Sequence, residues 1–193
     1  DRPRIAELRS GGIDALRRLG FPTATRGNEE WRFTSVAPIA DADFDYIAGG
    51  DDSSVHLSGI PELVPWDASW TTLVFVDGRF LSDLPTPTSS SGVLAANLRS
   101  PETTNGGRFD ATLGRTAPPD SNGFVAANTA FLDDGAAVVT SSGSGAGGTV
   151  HLVFVTSDRQ SPHVTYPRTA VVAGANTELT VLGRGEGRSL VAA

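Results

Sequence analysis

The chain has 193 residues, enough for one ordinary domain or two small ones, and 39% of them are hydrophobic, so it can bury a core. Its formal net charge is −7 and every cationic residue is an arginine, which disfavours nucleic acid and anionic membrane surfaces as partners. Cysteine and lysine are absent, and this excludes disulfides, thiolate-held clusters, thiol catalysis and Schiff-base chemistry within the chain.

No apolar run approaches the roughly 18 residues that a membrane-spanning helix needs, and no secretion signal opens the chain. We therefore expect a cytoplasmic protein without a membrane partner. The chain begins with Asp1 rather than methionine, which suggests a processed or trimmed piece of a longer protein.

Residues 1–70 are predicted to form an N-terminal helical and loop domain. Apolar residues recur at mostly three- and four-residue intervals from Ile5 to Leu19, and this period predicts a helix that buries Ile5, Leu8, Ile13, Leu16 and Leu19. Gly11 and Gly12 interrupt the pattern, so one bent helix and two short helices are both open. Gly20 and Pro22 predict the end of the helix.

Acidic and aromatic residues alternate after this helix. Asp41, Asp43 and Asp45 have the spacing of a calcium loop, but the glycine and distal glutamate of such a loop are not at the right offsets, which favours a solvated turn. We expect Trp31 to anchor the loop by packing, and Arg32 to pair locally with Glu29 or Glu30.

Residues 71–123 are predicted to form a hairpin and a connecting region. The run TTLVFVDGRF at 71–80 is rich in β-formers, and its Asp77-Gly78 pair is a strong signal for a two-residue hairpin turn. The following segment is rich in Pro, Ser, Thr and Gly, with one short apolar element at 93–98.

Residues 124–193 are predicted to begin a β-rich core. A short helix at 123–132 leads into valine-rich runs at 136–139, 150–155, 169–172 and 179–182. Short strands without intervening helices indicate a sandwich, a barrel or a β-helix. Residues 183–187, with the sequence GRGEG, are predicted to form a flexible polar tail that cannot cap a solenoid.

Two patterns that could signal a ligand site are rejected. Gly143, Gly145 and Gly148 satisfy the dinucleotide-binding spacing, but strand-forming residues follow them where that motif requires a helix. The chain has three histidines, His56, His151 and His163. His151 and His163 lack a nearby third metal ligand and are expected as polar residues on exposed strand faces. The sequence therefore predicts no catalytic, cofactor-binding or metal-ligating residue.

Three stretches, taken together in order and spacing over about 150 residues, resemble the SufB/SufD family of iron–sulfur cluster assembly scaffolds, and within it SufD. The first is LGFP at 19–22 with EEWRFT at 29–34. The second is LVFVDGRF at 73–80 with LSDLP at 81–85. The third comprises NTAF at 128–131, DDG at 133–135, HLVFVTS at 151–157 and PR at 167–168.

The resemblance implies an α+β chain in which an N-terminal helical segment precedes the first coils of an incomplete right-handed parallel β-helix. It also implies a non-catalytic scaffold that acts in the cytoplasm with SufB-like and SufC-like subunits, SufC being the ATPase. No cofactor is implied for this chain, and any cluster would use ligands from a partner. Residues 141–148 and Tyr166 depart from the family pattern, which usually has a more apolar stretch and a histidine there.

The valine-rich runs alone also suggest a different class of protein, namely a carbohydrate-active or carbohydrate-binding β-helix module. Such an enzyme needs convergent carboxylates on one strand face, and its candidates here are Asp133, Asp134, Asp158 and Glu178. Most of them are predicted to lie in turns, which disfavours this interpretation. An autonomous interaction domain that keeps the fold is not separable from a scaffold subunit by sequence.

Overall fold

The computed structural model describes residues 2–23, 29–47, 64–82, 89–90, 92–104, 108–144, 147–157 and 161–187. Helices and strands both occur in these ranges, and the longest helix comes first, as the α+β prediction requires. The helices are α1 (Pro3–Leu19), α2 (Ala37–Ala40), α3 (Arg108–Thr112) and α4 (Gly123–Ala130), with 3₁₀ turns at Glu29–Trp31, Pro101–Thr104 and Pro119–Ser121.

The described strands form two four-stranded sheets and one two-stranded pair. The strands are β1 (Asp45–Tyr46), β2 (Thr71–Val76), β3 (Arg79–Phe80), β4 (Ser89–Ser90), β5 (Val93–Asn97), β6 (Gly135–Thr140), β7 (Thr149–Thr156), β8 (His163–Val164), β9 (Arg168–Val172) and β10 (Thr180–Gly187). The first sheet has the order β10-β7-β2-β3, the second has the order β4-β5-β6-β9, and β1 pairs with β8.

From β6 onward the chain alternates between the two larger sheets. It passes from β6 in the second sheet to β7 in the first, and later from β9 in the second to β10 in the first. The strands stack in parallel, with β9 beside β6 and β10 beside β7. In the described ranges the sheets do not close into a barrel, and the parallel β-helix stays a prediction.

Alternate residues of the central strands enter different cores. Leu73 and Phe75 of β2 pack with residues of β5, β6 and β7 in a cluster that both large sheets share. Val74, between them, packs on the other face of the first sheet with Val153 of β7. Because both faces of β2 are covered, its sequence is a nearly continuous apolar run.

Helix α1 covers the outer face of the second sheet. Its Ile5 and Leu8 pack with Phe109 of α3 and with Ala137 of β6. The predicted stripe is wrong in part, because Ile13 is 37% exposed and the buried positions of α1 are Ile5, Leu8, Gly12 and Ala15. The two glycines do not divide the helix, which is continuous from Pro3 to Leu19.

The hairpin prediction at Asp77-Gly78 is confirmed. Strands β2 and β3 pair in antiparallel fashion, with Val76 opposite Arg79. Asp77 has a φ of 47° and Gly78 has a φ of 80°, and two positive values are what a two-residue turn of this twist requires.

The prediction of a flexible polar tail at residues 183–187 is wrong. These residues form most of β10, and every residue of that strand is in register with a residue of β7, from Thr180 opposite Thr149 to Gly187 opposite Thr156. The backbone ladder orders the segment although alternate residues, Gly183, Gly185 and Gly187, have no side chain to pack.

Two local expectations for residues 29–34 are confirmed. The ring of Trp31 lies 5.2 Å from the ring of Phe124 in α4, so Trp31 anchors its loop by packing. Arg32 pairs with Glu29 at 3.4 Å. The three aspartates expected in one solvated turn are exposed, but Asp45 belongs to β1.

Candidate functional site

Polar side chains converge where α4 ends and β6 begins, and Asp133 is at the centre of this junction. Its carboxylate oxygens lie 3.2 Å from Nη2 of Arg9 in α1, 2.6 Å from Nη2 of Arg79 in β3, and 3.1 Å from Nη1 of Arg99 after β5. The side chain of Asp133 is 19% exposed. One half-buried carboxylate therefore ties the N-terminal helix, the hairpin and the second sheet to the same point.

The neighbouring carboxylate, Asp134, is buried and serves the same junction. It accepts a hydrogen bond of 3.1 Å from the backbone N–H of Phe80 and another of 3.1 Å from Nδ2 of Asn97. Burial raises the pKa of Asp134, and the hydrogen bonds from Asn97, Gly135 and Phe80 oppose this rise. Asp134 thereby links the first sheet at β3 to the second sheet at β5.

The cavity beside this junction is too small for a substrate. It is bounded by side chains that include Tyr46, Asp77 and Tyr166, and its volume is about 10 Å³. A cavity of this size holds about one water molecule. The surrounding aromatic rings are in contact: the ring of Tyr46 lies 5.0 Å from that of Phe131, and the Tyr46 hydroxyl donates a hydrogen bond to the Phe131 carbonyl.

A second polar cluster fastens the hairpin turn. The buried carboxylate of Asp77 accepts hydrogen bonds from the backbone N–H of Ser157, at 2.9 Å, and from the Ser157 hydroxyl. Nε2 of His163 lies 3.4 Å from the same carboxylate. The serine bonds to the aspartate and not to the histidine, so the three residues are not arranged to activate a nucleophile.

The expectation that His151 and His163 lie on exposed strand faces is wrong. His151 is 2% exposed, and its ring meets Trp70 edge-on at 5.3 Å. Burial lowers the pKa of His151, and the charge of Arg184 lowers it further. The side chain of His163 is 8% exposed. The two histidines belong to different sheets, and His56 lies outside the described residues.

A third cluster connects α4 to β9. Nδ2 of Asn128 donates to the Pro167 carbonyl at 3.0 Å, so this amide binds backbone from near the end of the short helix. Nε of Arg168 donates to Oδ1 of Asn128 at 2.8 Å, and Nη2 of Arg168 donates to Oγ1 of Thr129 at 2.7 Å. Arg168 belongs to the proline-arginine pair of the third stretch that resembles the family, but its contacts with α4 were not predicted from the sequence.

The carboxylates considered for carbohydrate chemistry do not form a convergent pair. Asp133 is engaged by three arginines and Asp134 by backbone and amide donors. Glu178 is exposed on the connection between β9 and β10, and Asp158 lies outside the described residues. The described histidine and carboxylate side chains do not gather in threes anywhere that could hold a metal ion.

Comparison with known proteins identifies the family. A model described as the SufBD protein N-terminal region matches residues 2–147, which is most of the chain. The chain belongs to the SufBD family. It is also 27% identical, over 186 residues, to an iron–sulfur cluster assembly SufBD family protein of Synechocystis sp.. That similarity covers 92% of this chain and 38% of the relative, so the chain spans less than half of the length of this SufBD protein.

The stretches that resemble the family also supply residues of the contacts described above. Of the three stretches that resemble the family, the first two and the beginning of the third lie within the matched residues. In the structure these stretches supply Trp31, the Asp77 turn and the Asp133–Asp134 junction. Among the described residues, no helix combines the length and the apolar composition needed to cross a bilayer.

Proposed function

We propose that the chain is the N-terminal part of a SufD-like subunit that serves iron–sulfur cluster assembly as a scaffold. The SufBD family match over residues 2–147 carries this proposal. The name of the Synechocystis relative assigns iron–sulfur cluster assembly to that protein. This chain matches 38% of the relative, so the activity of the whole protein is proposed for this chain.

The use of polar side chains supports a scaffold that is not itself an enzyme. The buried or half-buried carboxylates, Asp77, Asp133 and Asp134, are engaged by donors of the same chain. Such groups hold elements together, whereas a catalytic acid or base must reach a substrate. The chain also has no cysteine, so these 193 residues supply no thiolate ligand to a cluster.

The path of the chain supports the proposal that strands from β6 onward are the opening coils of a right-handed parallel β-helix. A solenoid is built by strands that stack in parallel on the strands of the preceding coil. The pairs β6–β9 and β7–β10 have this relationship, and they lie in opposite sheets. The division into residues 1–70, 71–123 and 124–193 remains part of this proposal.

This role requires SufB-like and SufC-like subunits as partners. The proposed location of the complex is the cytoplasm. The negative net charge and the absence of lysine favour protein partners over nucleic acid or an anionic membrane. In this scheme the ATPase chemistry belongs to the SufC-like subunit, and the present chain contributes surface and shape.

Co-expression with SufB-like and SufC-like proteins from the same source tests the proposal. The affinity-tagged full-length gene product should retain both subunits through size-exclusion chromatography, and the complex should hydrolyse ATP. A SufC-like variant with an inactivated ATP site should abolish hydrolysis without dissolving the complex. Failure to associate with either subunit, or hydrolysis of ATP or a polysaccharide by the isolated protein, would contradict the proposal.

A further inference from the structure

Residues 29–46, which we call the acidic–aromatic segment, leave large apolar side chains in solvent. Phe33 is 90% exposed, Ile39 is 49% exposed and Phe44 is 38% exposed. Val36 is the one buried residue of the segment. Single apolar residues scattered over a surface are ordinary, but a group of large ones on one short segment is typical of a surface that binds another molecule.

Both ends of the acidic–aromatic segment are fixed to the body of the protein. At its start, the ring of Trp31 packs 5.2 Å from the ring of Phe124 in α4. At its end, β1 pairs with β8, and the Tyr46 hydroxyl donates a hydrogen bond of 3.1 Å to the Phe131 carbonyl. The exposed side chains between these anchors are therefore held on a positioned backbone before anything binds, which lowers the entropic cost of forming an interface.

Phe33, the most exposed of these apolar residues, is positioned by its neighbours. The guanidinium of Arg32 lies over the ring of Phe33, 5.1 Å from its centroid. Nη1 of Arg32 also lies 3.4 Å from Oε2 of Glu29. A paired cation thus supports one side of the ring, and the rest of the ring is open to a partner. Aromatic side chains presented in this way are typical anchors of protein–protein contacts.

The charges of the acidic–aromatic segment determine which partner fits. The segment contains a single arginine and five carboxylates, which are Glu29, Glu30, Asp41, Asp43 and Asp45. Glu29 pairs with the arginine. Within the part of the chain that the structure describes, Glu30, Asp41 and Asp43 form no salt bridge. Negative charge therefore flanks the apolar side chains along the sequence, and a contact face with basic residues complements it.

The same charges disfavour other occupants of this surface. A second copy related by a two-fold axis would place the same five carboxylates opposite one another, and like charges across an interface weaken it. Nucleic acid and anionic membranes are also negatively charged, so the segment repels them. A protein that surrounds an apolar face with cationic side chains is the occupant that the charges favour.

We propose that the acidic–aromatic segment docks a partner protein whose contact face is apolar at its centre and basic at its rim. Phe33 and Ile39 contact the apolar centre, and Asp41 and Asp43 pair with lysines or arginines of the rim. The apolar anchors supply most of the affinity, whereas the rim charges accelerate association and select the partner. This docking surface rests on residues 29–46 and does not depend on the proposed role in cluster assembly.

Fluorescence anisotropy with a labelled synthetic peptide of leucine and lysine, which forms a basic amphipathic helix, tests the surface in the full-length gene product. A peptide with serine in place of leucine has the same charge and no apolar face. We expect the leucine peptide to bind about tenfold more tightly than the serine peptide, and its affinity to fall as sodium chloride is added. Absence of binding, or equal affinity for the two peptides, would overturn the proposal.

A pair of apolar variants assigns the binding to the acidic–aromatic segment. Phe33→Ser should weaken binding of the leucine peptide about tenfold. Leu19→Ser, which removes an apolar side chain that is 39% exposed at the end of α1, should leave binding unchanged. Unchanged binding by Phe33→Ser would rule out this surface. A dimer in size-exclusion chromatography that Phe33→Ser converts to a monomer would identify a second copy as the occupant and would also refute the proposal.

A pair of charge variants tests the carboxylates at equal net charge. Asp41→Asn combined with Asp43→Asn should weaken binding of the leucine peptide about threefold or more and reduce its dependence on sodium chloride. Asp14→Asn combined with Glu178→Gln removes the same charge from exposed positions outside the segment and should change neither property. Equal effects of the two combinations would show that net charge attracts the peptide, and would contradict a basic rim on the partner.

Discussion

Gly12 of α1 lies directly against the backbone of Ala130 in α4. A Cβ added to Gly12 would be 2.9 Å from Cα of Ala130 and 2.8 Å from the carbonyl carbon of Thr129. Real Cβ atoms do not approach a neighbouring backbone so closely, so only glycine permits this helix contact. The contact positions α1 over the second sheet, and it places Arg9 beside Asp133.

The substitution Gly12→Ala should lower the free energy of unfolding by about 1–3 kcal/mol. The methyl group must displace the backbone of α4, and overpacking of this kind outweighs the better helix propensity of alanine. Gly11→Ala is the matched control, since nothing lies within 4 Å of a Cβ at Gly11. It should raise the free energy of unfolding by about 0.5–1 kcal/mol. Urea denaturation measures both, and the same sign for both variants would refute the packing argument.

The contrast between the two glycines shows what local sequence pattern can predict. The end of α1 at Gly20, the turn at Asp77-Gly78 and the short helix before β6 all follow from residue types within a few positions of each other. Whether Gly12 breaks or continues α1 depends on α4, which lies more than a hundred residues later. Periodicity within one helix carries no information about that neighbour.

The carboxylate of Asp77 should stabilise the hairpin through its bonds to Ser157. Asp77→Ala removes the acceptor, leaves the N–H of Ser157 without this partner and places alanine at a φ of 47°, so we expect a loss of about 2–4 kcal/mol. Asp77→Asn keeps an acceptor and tolerates the positive φ, and it should lose about 1–2 kcal/mol. Equal losses in the two variants, measured by urea denaturation, would contradict a role for the acceptor and the backbone conformation.

His151 should contribute to the pH dependence of the free energy of unfolding. Its pKa is lowered in the folded state, so the unfolded chain binds the proton more tightly. The stabilising contribution of neutral His151 is therefore present above the unfolded pKa of about 6.5 and declines as the pH falls toward the folded pKa. His151→Leu removes this titration from the difference between the two proteins.

Urea denaturation of both proteins at a series of pH values from about 8 to about 5 measures the effect. The free energy of unfolding of the unmodified protein should fall relative to that of His151→Leu as the medium is acidified below about pH 6.5. A difference between the two proteins that does not change with pH would show that His151 titrates alike in the folded and unfolded states.

The positions of the two histidines and of β10 could not be read from their local sequence. Alternation along β7 gives His151 a face of the sheet, but it does not show that Trp70 covers that face. Residues 183–187 have the composition of a linker. Their order comes instead from pairing with β7, which lies about thirty residues earlier in the chain. Composition predicts order poorly where the stabilising partner is a backbone ladder.

Asn128 connects α4 to β9, and its replacement should lower the free energy of unfolding. Asn128→Ala removes both the donor to the Pro167 carbonyl and the acceptor for Nε of Arg168, so we expect a loss of about 2–4 kcal/mol. Asn128→Asp keeps the acceptor and supplies Arg168 with an anion, and it should lose less. Glu178→Ala, at an exposed residue, should stay within about 0.5 kcal/mol of the unmodified protein. Urea denaturation ranks the three variants. An Asn128→Ala protein as stable as Glu178→Ala would show that the amide does not stabilise the contact between α4 and β9.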